Sequence, residues 1–97
     1  MNKLRVGLVG CGNIGADICI GLQKGDIPAE IVALTDVDES RAKIFQRSFQ
    51  LDATIRDLEK NAASADFLVE CAVGEVVGAV LEAAIRHHTY CLIMSVG

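Results

Sequence analysis

Residues 5–15 read RVGLVGCGNIG and hold four of the nine glycines in this chain of 97 residues. Glycine loses more backbone freedom on folding than any other residue, so such a concentration requires a mechanical reason. The stretch begins within Leu4–Val9, an apolar, branched run with the composition of a strand. It ends inside Asn13–Leu22, where Ile14, Ile18 and Leu22 recur at the spacing of one helix face. Gly10, Gly12 and Gly15 therefore form G-x-G-x-x-G between a predicted strand and a predicted helix. In that context each glycine has its own task. Gly10 permits the tight turn, Gly12 lets backbone approach a pyrophosphate, and Gly15 lets the helix pack close to the strand.

Strand and helix patterns continue to alternate along the chain. Lys24-Gly25-Asp26 ends the first helix, with Gly25 as its left-handed stop and Pro28 preventing resumption. Glu30–Thr35 is a second strand, and Glu39–Phe49 a second helix with Asp38 or Ser40 as N-cap and Ala42, Phe45 and Phe49 on one face. A short third strand falls at Asp52–Ile55, followed by a helix over Arg56–Ala63. Phe67–Ala72 reads as a buried fourth strand. Glu75–His88 is a helix predicted to face inward through Val76, Val77, Val80, Leu81, Ala84 and Ile85, and Tyr90–Val96 is a fifth strand. This βαβ alternation predicts an α/β, Rossmann-like, doubly wound parallel sheet of order 3-2-1-4-5. Residues 1–97 form a single dinucleotide-binding domain in this reading, without the usual sixth strand and without a substrate or catalytic domain. The apolar fifth strand is then an unprotected edge. It predicts a homo-oligomer, or a second domain that covers it.

Composition agrees. Apolar residues make up 52% of the chain, charged residues 23% and aromatics 4%, as expected for an aliphatic core between helices. The net charge of −4 and the absence of a basic stripe argue against nucleic acid as a partner. Cys11, Cys19, Cys71 and Cys91 are widely spaced, and His87 and His88 are adjacent, so neither set has metal-ligand spacing. Reduced thiols, the lack of a signal peptide and the lack of any apolar run near the roughly 18 residues that span a bilayer predict a cytoplasmic domain with no membrane partner.

The candidate site is the crevice where strand order reverses. Gly10, Cys11, Gly12, Asn13, Ile14 and Gly15 would face the phosphates, with the N–H groups and positive dipole end of the first helix. Asp36 stands twenty-one positions beyond Gly15, at the end of the second strand, where an acid bonds the adenosine ribose hydroxyls. A carboxylate there repels a 2′-phosphate and favours NAD, while Arg41 leaves NADP open. Ala72 and Val73 after the fourth strand, and Ser95 after the fifth, are expected beside the nicotinamide half. Glu70 either bonds loop backbone or touches ligand. Cys11 is read as a small side chain between glycines, not as a redox centre.

Taken together, Val9–Gly15 (VGCGNIG), Asp66–Ala72 (DFLVECA) and Met94–Gly97 (MSVG) resemble the N-terminal domain of L-aspartate dehydrogenase, which belongs with the homoserine-dehydrogenase-type NAD-binding domains. The resemblance implies reversible oxidative deamination of L-aspartate to iminoaspartate, with NAD or NADP as acceptor. It assigns Gly10, Gly12, Gly15 and Asp36 to the adenosine diphosphate half, and Ala72 and Ser95 to the nicotinamide side. Two departures accompany it. Val73-Gly74 stand where the family commonly has Ser-Gln, and the family's substrate domain with its catalytic histidine has no counterpart up to Gly97. Neither His87 nor His88 matches that histidine, so no acid–base catalyst is expected here. Two other readings share the glycine loop: a non-catalytic dinucleotide-sensing module, and the NAD-binding domain of a homoserine- or sugar-type dehydrogenase.

Overall fold

A computed structural model describes residues 3–25, 27–72 and 74–95. Five parallel strands, β1 (Leu4–Val9), β2 (Ala29–Thr35), β3 (Thr54–Ile55), β4 (Phe67–Glu70) and β5 (Tyr90–Ile93), lie in the order β3-β2-β1-β4-β5. Four helices connect them: α1 (Asn13–Gln23), α2 (Glu39–Ser48), α3 (Leu58–Ser64) and α4 (Val77–Arg86), the last preceded by a 3₁₀ turn at Gly74–Val76. The predicted architecture and strand order are those observed.

Side-chain alternation along β1 divides the core in two. Val6 and Leu8 join Cys19 of α1 and Ala42 and Phe45 of α2 on one face of the sheet. Val9 joins Ala62 of α3 and Val80, Ala83 and Ala84 of α4 on the other. Leu8, Leu34 and Leu68 are completely buried, each stabilising the fold by about 1.5–3 kcal/mol relative to exposure.

Gly7 belongs to this division. It points at α3, where an added Cβ would collide with Asn61 Oδ1 and lie 3.1 Å from Ala65 Cβ. Asn61 is fully buried and donates from Nδ2 to the Leu8 carbonyl (3.2 Å) and to Thr35 Oγ1 (2.8 Å). One amide thus ties α3 to both β1 and β2. The missing side chain at Gly7 makes room for it.

Three expectations shift. The buried positions of α1 are Gly15 and Cys19, with Ile18 and Leu22 half-buried, while Ile14 is 41% exposed. The close approach of Gly15 to the sheet rotates the helix so that its small residues, not Ile14, meet the core. In α4, Ala83 packs inward with Val80 and Ala84, whereas Leu81 and Ile85 are exposed. Apolar residues lie on several faces of α4, and the sheet takes the face with the small residues Ala83 and Ala84 beside Val80. β4 and β5 end at Glu70 and Ile93, short of the expected Ala72 and Val96, and Val96 lies outside the described residues.

Candidate functional site

The ends of β1, β2 and β4 open on a cavity of about 560 Å³, bordered also by the starts of α1, α3 and α4 and by Arg41 of α2. Gly10 leaves β1 with φ +102°, and a Cβ there would lie 2.7 Å from the backbone nitrogen of Ala72. Both the sign of φ and the contact demand glycine. At Gly15 a Cβ would come within 2.8 Å of the Gly10 carbonyl oxygen, so this glycine seats the helix against its own approach turn.

Gly12 differs from both. A Cβ there would meet nothing within 4 Å, so neither packing nor a left-handed φ calls for glycine at that position. Gly12 is also the N-cap of α1, and no side chain bonds the free N–H groups of the helix's first turn. Helices α2 and α3 are closed differently, whereas α4, which starts after Val76, likewise has no side-chain cap. Asp38 caps α2 by accepting from the N–H groups of Ser40 and Arg41, and Asp57 caps α3 by accepting from Lys60. An uncapped helix start beside a cavity leaves N–H groups free to meet an anion.

Asp36 follows β2 on one side of the glycine loop, its side chain only 3% exposed. Oδ2 accepts from the Cys11 N–H (2.9 Å) and Oδ1 from the Asp38 N–H (2.9 Å), while Arg41 Nη1 lies 4.0 Å from Oδ2. With Asp38 capping α2, Asp36 does not cap a helix. It staples the glycine loop to the end of β2.

Glu70 ends β4 on the other side and is fully buried. It accepts from the Ala72 N–H (2.8 Å), the Ser95 N–H (3.2 Å) and the Ser95 hydroxyl (2.7 Å). Of the two readings left open for Glu70, loop bonding is the one observed.

Gly10, Cys11, Gly12, Asn13, Ile14, Asp36 and Ala72 all border the cavity. Gly15 stands behind them, supporting the turn. Ser95 directs its hydroxyl to Glu70 and is absent from the cavity wall, and Val73 lies outside the described residues. The wall also contains Val37, Leu58, Val76 and Ala79, none of which is evident from the motif. Val37 left one trace: it is an apolar residue in a polar turn, and it is 94% exposed at the cavity rim. Leu58, Val76 and Ala79 come from helix starts that only the crossovers bring to the site.

The thiols in the wall are inert. Burial, reinforced at Cys11 by the Asp36 carboxylate, pushes the Cys11 thiol up to about 12, against the lesser opposing pull of Arg41. Burial likewise pushes Cys71 up to about 12, with Cys11, Glu70 and Asp36 adding to it. Both remain protonated at neutral pH and are neither nucleophiles nor redox centres in this state. His87 bonds Glu59 across α3 and α4, away from the cavity. Among the described residues the wall holds no acid–base pair.

The family model for the homoserine dehydrogenase NAD-binding domain matches residues 10–97. The chain belongs to this family. It is an NAD-binding domain, with the glycine loop as the first matched element. L-aspartate dehydrogenase of Methanocella arvoryzae is 34% identical over 93 residues, covering 96% of this chain and 34% of the relative. L-aspartate dehydrogenase of Methanosarcina barkeri is 35% identical over 98 residues, covering 97% of this chain and 35% of the relative. The chain therefore spans about a third of the length of these relatives. Among solved structures, myo-inositol dehydrogenase from Lactobacillus casei, in complex with NAD(H) and myo-inositol, superposes with a TM-score of 0.87 at 24% identity. The match covers 94% of this chain and 28% of that one, and it carries the fold alone. An oxidoreductase from Agrobacterium radiobacter, in complex with NAD+, L-tartaric acid and magnesium, superposes with a TM-score of 0.77 at 25% identity, covering 93% and 27%. No helix among the described residues is long and apolar enough to cross a membrane.

Proposed function

We propose that NAD lies across the cavity with its pyrophosphate over Gly12 and the first turn of α1, and that the chain is the cofactor domain of an L-aspartate-dehydrogenase-like enzyme. The observation that carries the placement is the combination at Gly12 of an open Cβ direction with an uncapped helix start. The N–H groups of Asn13, Ile14 and Gly15 would bind the phosphates, with Gly10 and Cys11 shaping the turn beneath them. Asp36 would meet the adenosine ribose with the acceptor capacity left after its two backbone bonds. Ala72 would border the nicotinamide half, with Val73 following it, and Ser95 would act from behind through Glu70. Bound NAD supplies the two-electron acceptor for substrate oxidation. The chain's own residues bind and orient it, and the proton transfer of amine oxidation falls to groups beyond this cavity.

Calorimetric titration tests the placement. NAD should bind the folded domain, and failure to bind at millimolar NAD would refute it. Replacing Asp36 by Ala should weaken NAD more than NADP, because the carboxylate that repels a 2′-phosphate is removed. A loss common to both is expected as well, from the released Cys11 N–H. The aspartate assignment rests on the two relatives described above. It is tested by offering L-aspartate, homoserine and myo-inositol with NAD to the full gene product. Oxidation of homoserine or myo-inositol in preference to L-aspartate would overturn it.

The edge of β5 bears on partners. Tyr90, Leu92 and Met94 are exposed at 75%, 46% and 40%. The reading includes a cover for this edge, from a second copy or a second domain, and sedimentation as a monomer with an accessible β5 would contradict it. A cytoplasmic location is supported by the four free cysteines.

A further inference from the structure

We infer that Glu70 is a positioning residue for the nicotinamide half of the dinucleotide, acting as a brace between the loop after β4 and the end of β5. The inference rests on the placement of NAD proposed above. Two buried carboxylates flank β1, and they divide the cavity rim between them. Asp36, on the β2 side, holds the glycine loop through the Cys11 N–H. Glu70, on the β4 side, holds Ala72 with one oxygen and Ser95 with the other.

The Ala72 backbone is in turn packed against Gly10, close enough that a Cβ at Gly10 would lie within 2.7–2.9 Å of the Cys71–Ala72 backbone. Glu70 therefore fixes the Ala72 backbone against the glycine loop, and the two together form the cavity rim at the point of strand reversal. The three donors to Glu70 are neutral, and the residue is fully buried. An apolar side chain at this place would leave the Ala72 N–H and the Ser95 N–H and hydroxyl without their acceptor. A carboxylate supplies what an apolar residue cannot: two acceptor oxygens, directed at two separate loops at once.

Glutamine preserves the shape and removes half of that capacity. Its carbonyl oxygen can face Ala72 or Ser95, and its NH₂ group then faces a donor on the other side. If NH₂ faces Ser95, the hydroxyl can turn to accept, but the Ser95 N–H is left without a partner. If it faces Ala72, the loop after β4 is released.

The test is calorimetric titration of wild type and Glu70→Gln with NAD and with ADP, beside thermal unfolding. ADP probes the adenosine and pyrophosphate half alone. Glu70→Gln should bind NAD about tenfold more weakly, on the order of one hydrogen bond to a charged group, and ADP within about twofold of wild type. Equal weakening of NAD and ADP, or unchanged binding of NAD with a lowered melting temperature, would overturn the inference by reducing Glu70 to a structural role. If Glu70→Gln does not fold, Ser95→Ala carries the same test. It removes one of the three donors and should also weaken NAD and spare ADP, and an equal effect on both ligands overturns the inference. Failure of wild type to bind NAD would refute the placement itself and the inference with it, an outcome distinct from a variant that binds both ligands alike.

Discussion

Replacing Gly12 by Ala should leave the fold intact while abolishing tight binding of NAD. A Cβ at this position meets nothing within 4 Å, and the backbone is extended at φ −103°, so the substitution introduces neither collision nor left-handed strain. Alanine is a poorer N-cap than glycine by about 0.5–1 kcal/mol. The unfolded chain of the variant has less freedom to lose, which offsets about 0.4–1 kcal/mol. The two nearly cancel, and the melting temperature should move by less than about 4 °C. Binding should respond differently, because in the proposed placement the new methyl group projects into the space given to the pyrophosphate over the first turn of α1. A loss of at least about 100-fold is expected, equivalent to about 2.8 kcal/mol. Gly10→Ala provides the contrast: its positive φ and its contacts with the Cys71–Ala72 backbone should destabilise the folded state by about 2–5 kcal/mol. Titration calorimetry with NAD, paired with thermal unfolding of each variant, reads both effects. Wild-type affinity in Gly12→Ala would refute the assignment of the phosphate site, and a collapse in its melting temperature would refute the packing argument.

Gly7→Ala should destabilise by about 2–4 kcal/mol in urea unfolding, because Asn61 must withdraw and release the Leu8 carbonyl and Thr35 hydroxyl. Asn61→Ala in the same chain should recover part of that loss. On the acid side, hydrogen bonds from Ser40 and Arg41 hold the Asp38 carboxyl below its ordinary range, those from Arg86 and His87 do the same for Glu59, and the Arg5 N–H does so for Asp66. Between the folded and ordinary values the unfolded chain binds more protons, so this stability is present above about pH 4.5 and lost as pH falls through the lowered values. Asp38→Asn, which still caps α2 but does not titrate, should flatten the acid limb of a melting-temperature profile. On the alkaline side, Cys11 and Cys71 are raised from 9.0 to about 12, so their contribution is complete below pH 9.0 and fades as pH rises toward 12. In the native domain at pH 8 both should resist iodoacetamide, as followed by mass spectrometry, and become reactive on unfolding.

The alternation of strand and helix patterns along the chain, with G-x-G-x-x-G at its first turn, was enough to determine the fold class and the strand order. The reason is local: a tight turn, a phosphate approach and a helix seat each leave a glycine at a fixed spacing, and alternating strand and helix periods leave few topologies. Asp36 was legible for the same reason, as an acid at a strand end. Tertiary structure alone decided what these residues do to one another. Gly7 had no evident reason until α3 placed Asn61 against it, fifty-four positions along the chain. Asp36 and Glu70 have two oxygens each, and nothing in their neighbours' spacing says that those oxygens hold Cys11, Ala72 and Ser95. The apolar stripe of α4 was misplaced because apolar residues lie on several of its faces, and packing against the sheet chose Val80, Ala83 and Ala84. A sequence records the demands a residue meets within a few positions of itself. Contacts made across the sheet depend on crossovers that bring distant strand ends together, and only the folded chain assigns them.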